Sequence, residues 1–210
     1  MSEPTVFIID DDLSARRGIT RLVKAAGFEV EAFASAADFL ALEKWDAPGC
    51  IVLDVQMPDI TGPELQEKFY NEYEYYLPII FLSAHGDVPT TAKAMKMGAV
   101  DFLTKPVDSN DLIEAIRKSL SIDEKMHTEH EELSIINEKI KTLTARECEI
   151  MTYVITGMLN KQIAGELDIS EETVKIHRGR VMHKLSIVSV AELVRLCERV
   201  GIAPYDNASL

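Results

Sequence analysis

The sequence predicts an open α/β domain built on a doubly wound, five-stranded parallel sheet, followed by an all-α domain. Three observations predict it. Over residues 1–121, short apolar runs alternate five times with helix-periodic stretches, the signature of successive βα units. The first, third and fourth runs are almost continuously apolar, as strands covered on both faces must be. From Thr144 onward only helical spacing and helix caps remain.

The strands are expected at 5–10, 28–33, 50–54, 79–83 and 100–103. Between the first two, Ile19, Leu22, Val23 and Ala26 recur at spacings of three and four, one face of a helix. Residues 123–138 are rich in Glu, Lys and His and contain neither Gly nor Pro, which predicts a charged helix joining the two domains. Leu133, Ile136, Ile140 and Leu143 form a short heptad-like stripe that either packs on its own domain or pairs with a second copy. Thr144-Ala145-Arg146-Glu147 is a capping-box start. Asn160 and Ser170 are expected to cap two further short helices, and Ser189 to open a last one running to Gly201. These signals divide the chain into a first domain at 1–121, a helical linker at 122–138, a second domain at 139–204 and a loose tail at 205–210, with backbone freedom expected from 203.

The bulk numbers exclude several classes. No apolar run approaches the roughly 20 residues needed to cross a bilayer, and the start Met1-Ser2-Glu3-Pro4 lacks the basic and apolar stretches of a secretory signal. Cys50, Cys148 and Cys197 are odd in number and far apart, which fits inert thiols in a reducing cytoplasm and argues against disulfides or structural zinc. The net charge of −13 is unevenly spread: residues 1–122 hold 11 basic against 20 acidic residues, and residues 123–210 hold 11 against 15. Within the latter, Lys175, Arg178, Arg180 and Lys184 fall in a run without a single acid. The local sign reverses where the global sign does not.

The run Val6-Phe7-Ile8-Ile9 ends in Asp10-Asp11-Asp12. Adjacent carboxylates raise the cost of ionising each other, so a compensating charge is required unless water solvates them all. In a parallel α/β sheet, function collects at the carboxyl ends of the central strands. Strand three ends in Asp54, strand four in Ser83, and strand five is followed by Lys105-Pro106. Brought to one edge, these tips make an oxygen-rich site for a hard divalent cation, with Mg²⁺ the best fit, and Lys105 adds positive charge. A cation and a lysine around one carboxylate are what phosphoryl transfer to that carboxylate needs. Singly, each acid reads better as a helix cap, and Asp12 in particular is expected to cap the first helix rather than to bind metal.

Asp10-Asp11, Asp54-x-x-Met57-Pro58-x-x-x-Gly62, Ser83-Ala84 and Lys105-Pro106 together resemble the pattern of a two-component receiver domain, over about residues 4–120. The resemblance implies a flavodoxin-like fold and phosphorylation of Asp54 by a sensor histidine kinase. It implies that Asp11, Asp54 and the carbonyl of Gln56 hold Mg²⁺, with Asp10 acting partly through water. Ser83 would hydrogen-bond the phosphoryl group, Lys105 would pair with it, and Phe102 would be the switching aromatic. The Lys105–Pro106 bond is expected to be cis, an isomer cheap only before proline.

The segment Asn160 to Gly179 has helix-turn-helix form. Ile163, Ala164 and Leu167 line the inner face of its first helix, Asp168-Ile169-Ser170 makes the turn, and Val174, Val181 and Leu185 face the core from the second. Lys175, Ile176, Gly179, Arg180 and His183 fall on the opposite face, which would enter a major groove. Lys175 and Arg180 are suited to guanine edges and Ile176 to a thymine methyl. Lys161, Arg178 and Lys184 are expected on phosphates, although Arg178 projects toward the core arc of the helix, which leaves its role open. A lone basic helix face would read as merely solvated; the turn, the caps and the acid-free run favour DNA. About residues 139–204 resemble a LuxR-type DNA-binding domain, and the two resemblances together point to a response regulator of the FixJ/NarL type. They imply a regulator rather than an enzyme, with promoter DNA, a second copy of the chain on phosphorylation and RNA polymerase as partners, and no membrane. Gly179 stands where some members carry a base-contacting lysine, which leaves the operator sequence open. A haloacid-dehalogenase-type phosphohydrolase would need Asp-x-Asp on one strand, which Asp54-Val55-Gln56 breaks. A lactone-sensing regulator is opposed by the acid pocket, and an output other than DNA stays as an alternative.

Overall fold

The computed structural model describes residues 4–42, 48–73, 75–84 and 88–205. The chain forms two compact units, Met1–Thr128 and Glu129–Leu210. In the first, β1 (Thr5–Ile9), β2 (Glu29–Phe33), β3 (Gly49–Asp54), β4 (Ile79–Ser83) and β5 (Asp101–Thr104) make one sheet in the order β2-β1-β3-β4-β5, every pairing parallel. Each strand lies within a residue or so of its expected place.

Alternation along the strands sorts the core into two layers. Phe7, Ile9, Ile51, Leu53, Ile79 and Phe81 point to one face, where α2 (Ala36–Leu40), α3 (Gly62–Glu72) and α4 (Val88–Lys96) bring Phe39, Leu65, Phe69 and Ala94. Val6, Ile8, Cys50, Val52, Ile80 and Leu82 point to the other, against Ile19 and Val23 of α1 (Leu13–Ala25) and Leu112 and Ile116 of α5 (Ser109–Lys141). All residues of β3 and β4 are buried, whereas the edge strand β2 is half exposed. That explains why strands three and four read as unbroken apolar runs.

One close approach shapes the functional edge. A Cβ at Gly62 would lie 2.5 Å from the Asp54 carbonyl oxygen and 2.9 Å from Phe81 Cε1, so only glycine lets α3 begin directly against the end of β3. Thr61 and Glu64 close a capping box there, and Pro63 sits in the first turn.

In the second unit, α6 (Ala145–Ile155), α7 (Asn160–Glu166), α8 (Glu171–Leu185) and α9 (Val190–Arg199) enclose a core of Ile150, Met151, Val154, Ile163, Val174, Val181, Leu185 and Leu193. Ile136 and Ile140 of α5 pack on this core and Leu143 is buried in it, so three of the four stripe residues pack on their own domain. Thr144, Ser170 and Ser189 cap α6, α8 and α9 as their sequence contexts predict. Asn160 does not: it is the first residue of α7, and Gln162 Oε1 accepts the Leu159 N–H at 2.8 Å instead. The tail also differs from expectation. Tyr205 stacks on Tyr153 with ring centroids 4.0 Å apart, and its N–H donates to the Thr152 carbonyl at 3.1 Å. The chain is thus docked through 205, because an aromatic ring gains more by covering the core than a free tail gains in entropy; residues 206–210 of the expected loose tail lie outside the described residues.

Candidate functional site

The sheet order sets the carboxyl ends of β1, β3, β4 and β5 side by side. Asp10, immediately after β1, is 1% exposed, and Asp54, the last residue of β3, is 7% exposed; Asp11 faces solvent. One carboxylate oxygen from each of these three acids lies within 4.8 Å of the others. Lys105, just beyond β5, donates from Nζ to Asp10 Oδ2 at 2.7 Å and to Asp54 Oδ2 at 2.8 Å. Its backbone N–H donates to the carbonyl of Ser83, the buried last residue of β4, at 2.7 Å, and the Lys105–Pro106 bond is cis as expected. Gln56 is exposed on the loop after β3, its N–H donating to Asp54 Oδ1 at 3.3 Å. Phe102 in β5 is half-buried, its ring 6.0 Å from that of Phe81. Asp12 accepts from the N–H groups of Ser14 and Ala15 at 2.7 and 2.9 Å, and so caps α1 outside the trio.

The electrostatics leave this cluster short of positive charge. Burial pushes the Asp10 carboxyl above its usual range, although the Lys105 hydrogen bond and charge pull the other way. Burial also penalises the Lys105 ammonium, but its hydrogen bonds to Asp10 and Asp54 and their charges outweigh that and raise its pKa. Lysine thus holds its proton firmly and still does not relieve Asp10. Three clustered carboxylates, two of them paired with the one ammonium, suit an additional hard cation, and a donor set made only of oxygens fits Mg²⁺. At a sheet edge where Asp54 is both buried and oriented by Lys105, the arrangement can present a carboxylate oxygen to a phosphorus centre.

Arg16 is a residue that sequence reasoning missed. From α1 its Nη1 donates to the Asp10 carbonyl at 2.5 Å and the Asp11 carbonyl at 3.2 Å, fixing the backbone from which both acids project. Nothing distinguishes it in the sequence from any arginine on an amphipathic helix. Asp123 was missed as well: wholly buried on α5, it accepts from Gly49 N–H at 2.7 Å and from the Tyr75 hydroxyl, so the helix is pinned to the opposite end of β3.

In the second unit α7 and α8 form the helix-turn-helix. Asp168 makes the turn at φ 49°, a left-handed conformation that aspartate tolerates, and Ile169 packs in the angle. Val174, Val181 and Leu185 are buried as expected, while Lys175, Ile176, Gly179, Arg180 and His183 are exposed. Lys161 on α7 is exposed too. Two of the expected phosphate contacts are placed otherwise. The Lys184 ammonium turns inward to Glu147 Oε2 at 2.6 Å and the Thr142 carbonyl at 2.9 Å, because a carboxylate only 2% exposed requires a cation. Arg178 is half-buried and donates from Nη1 to Asn160 Oδ1 at 2.9 Å.

The Lys184 hydrogen bond, followed by that from Thr144 N–H, holds the Glu147 carboxyl down at about 2. A folded-state value below the unfolded one means stability that is fully present above pH 4.5 and is lost as pH falls toward 2, about 3 kcal/mol at most. Urea unfolding followed at the Tyr153 resonances is expected to show this loss as pH falls from 4.5 toward 2. Glu147→Gln should be less stable at pH 7 and show a flatter profile; an unchanged profile would remove the pair from the domain's stability.

The chain thus carries an acid trio with a lysine at the tips of a β2-β1-β3-β4-β5 parallel sheet, followed by a helix-turn-helix with a basic exposed face. Comparison with known proteins agrees. Residues 6–117 match the response regulator receiver domain, and residues 141–197 match the bacterial regulatory proteins of the luxR family. The chain belongs to the response regulators of two-component systems that carry a LuxR-type helix-turn-helix. Similar proteins include Nodulation protein W of Bradyrhizobium diazoefficiens, 41% identical across 94% of this chain and 87% of that one. The response regulator protein TodT of Pseudomonas putida is 42% identical across 93% and 86%. Among solved structures, the response regulator StyR is 43% identical with a TM-score of 0.78, across 94% of this chain and all of that one. Full-length FixJ from B. japonicum is 36% identical with a TM-score of 0.56, across 96% and 99%. Among the described residues, no helix is long and apolar enough to cross a membrane.

Proposed function

We propose that this chain takes a phosphoryl group from a sensor histidine kinase onto Asp54 and thereby gains affinity for promoter DNA. The observation that carries the proposal is the trio Asp10, Asp11 and Asp54 gathered at adjoining strand tips, with Lys105 bridging Asp10 and Asp54. An Asp54 carboxylate oxygen attacks phosphorus; the new O–P bond forms as the bond from phosphorus to the kinase imidazole breaks, and the imidazole leaves with the electron pair. Lys105 moves its charge from the paired carboxylates to the incoming phosphoryl oxygens, and the Ser83 hydroxyl donates to one of them. Mg²⁺, held by Asp11, Asp54 and the Gln56 carbonyl with Asp10 partly through water, would supply charge neutralisation for the donor phosphate. Arg16 keeps the Asp10-Asp11 backbone in register throughout.

Phosphorylation then draws Ser83 toward Asp54 and turns Phe102, and the surface spanning 90–105 rearranges to support a symmetric dimer. Two copies of α8 reach a palindromic or tandem site, with Lys175 and Arg180 on base edges, Ile176 against a thymine methyl, Gly179 giving the helix a bare flank, and Lys161 on phosphate. The bound dimer acts on transcription in the cytoplasm, with RNA polymerase as the next partner. Fragmented DNA from the source genome, captured with and without a small phosphodonor and Mg²⁺, tests this: a defined set of fragments is expected to be enriched roughly tenfold or more on phosphorylation. Equal recovery of the same fragments in both arms would contradict it.

A further inference from the structure

Two residues placed differently from expectation are the two ends of one bond. Asn160 is not the cap of α7, and Arg178 is not turned out from α8; Arg178 Nη1 donates to Asn160 Oδ1 at 2.9 Å, across the angle of the helix-turn-helix. Arg178 lies four residues after Val174 and three before Val181, both buried, so its stem runs along the core side of α8, away from Lys175 and Ile176. The far end of α7 is held likewise. Arg146 of α6 donates from Nη2 to the Leu167 carbonyl at 3.3 Å while its Nη1 engages Glu149. Lys184 ties the last turn of α8 to Glu147. Three cations of the domain are thus spent on joining helices, and the cations exposed on the recognition face are Lys175 and Arg180.

We infer that Arg178 is a positioning residue for DNA recognition: it locks the α7–α8 angle through Asn160 and so sets the depth and tilt at which α8 meets the groove, without itself neutralising a phosphate. The inference rests on the DNA-binding reading above. Its consequence is a separation that a phosphate contact would not give. Loss of a phosphate contact weakens binding to all sequences alike and lowers the slope of log affinity against log salt by about one. Loss of a clamp weakens binding to the preferred sequence and leaves the slope unchanged, because no counterion is released at that residue.

The test uses the full chain, phosphorylated with a small phosphodonor, and the duplex that wild-type protein enriches from a random-sequence library. Arg178→Gln and Asn160→Ala are each expected to lower affinity for that duplex roughly tenfold, to lower affinity for random duplex less, and to keep the wild-type salt slope. The double variant should bind no worse than the weaker single one, since both remove the same bond. Lys161→Gln provides the contrast, with a slope lower by about one. Hydrogen exchange in α6 and α9 reports whether each variant is folded, and Asn160→Ala, which removes only the acceptor, keeps the test open if Arg178→Gln loosens the core. A reduced slope for Arg178→Gln with a silent Asn160→Ala would overturn the inference and return Arg178 to the phosphate backbone. Failure of the wild type to enrich any duplex would overturn it at the root, through the DNA-binding reading itself.

Discussion

Asp54→Asn is expected to abolish phosphoryl uptake and the gain in DNA binding that follows from it. The amide is nearly isosteric, so the strand tip and its packing beside Gly62 survive, but an amide oxygen is too poor a nucleophile to attack phosphorus. Lys105 keeps Asp10 as a partner 2.7 Å away. Because one of three crowded carboxylates is removed, folding stability should hold within about 1 kcal/mol or rise, the usual sign when a strained functional charge is deleted. Intact-mass measurement after incubation with phosphodonor and Mg²⁺ checks the first half of the prediction, and urea unfolding checks the second. A variant that gains one phosphate as fast as wild type would remove Asp54 from its assigned role.

Lys105→Met is expected to act differently and nearly as strongly. It removes the cation bridging Asp10 and Asp54 but leaves the nucleophile intact. Charge on the transferring phosphoryl group then goes unpaired in the transition state, a loss on the order of 100- to 1,000-fold in rate. Phosphorylation should still reach completion given time, whereas in Asp54→Asn it never starts. The same substitution pushes the Asp10 carboxyl, already raised by burial, further up. Time courses of phosphoryl incorporation separate the two variants; a wild-type rate for Lys105→Met would show that the bridge is structural only.

The contrast between what the sequence revealed and what it concealed follows the range of the interactions. The strands and the α1 and α6 starts were legible because local periodicity and caps encode them: the unbroken apolar run Cys50-Ile51-Val52-Leu53 of β3, Asp12 before α1, Thr144 with Glu147 before α6. The acid pocket was legible because strand order alone brings four tips together. Side-chain bonds between elements distant in sequence were not. Lys184 to Glu147, Arg178 to Asn160 and Asp123 to Gly49 join residues 37, 18 and 74 positions apart, and no local pattern marks which residue pairs with which. A lysine or arginine in a basic run looks the same whether it faces phosphate or a buried carboxylate; only packing decides. Tyr205 makes the same point, since a tail residue becomes part of the core only through Tyr153.

On the reading proposed above, the crowded acids of the sheet edge form a Mg²⁺-dependent acceptor for one phosphoryl group on Asp54. Peptide mapping by mass spectrometry of the full chain, treated with a small phosphodonor with and without Mg²⁺, tests it most directly. A single phosphate is expected on the peptide containing Asp54, labile to hydroxylamine as an acyl phosphate should be, and absent when Mg²⁺ is withheld. A phosphate on any other residue, or the same yield on Asp54 without the metal, would contradict it.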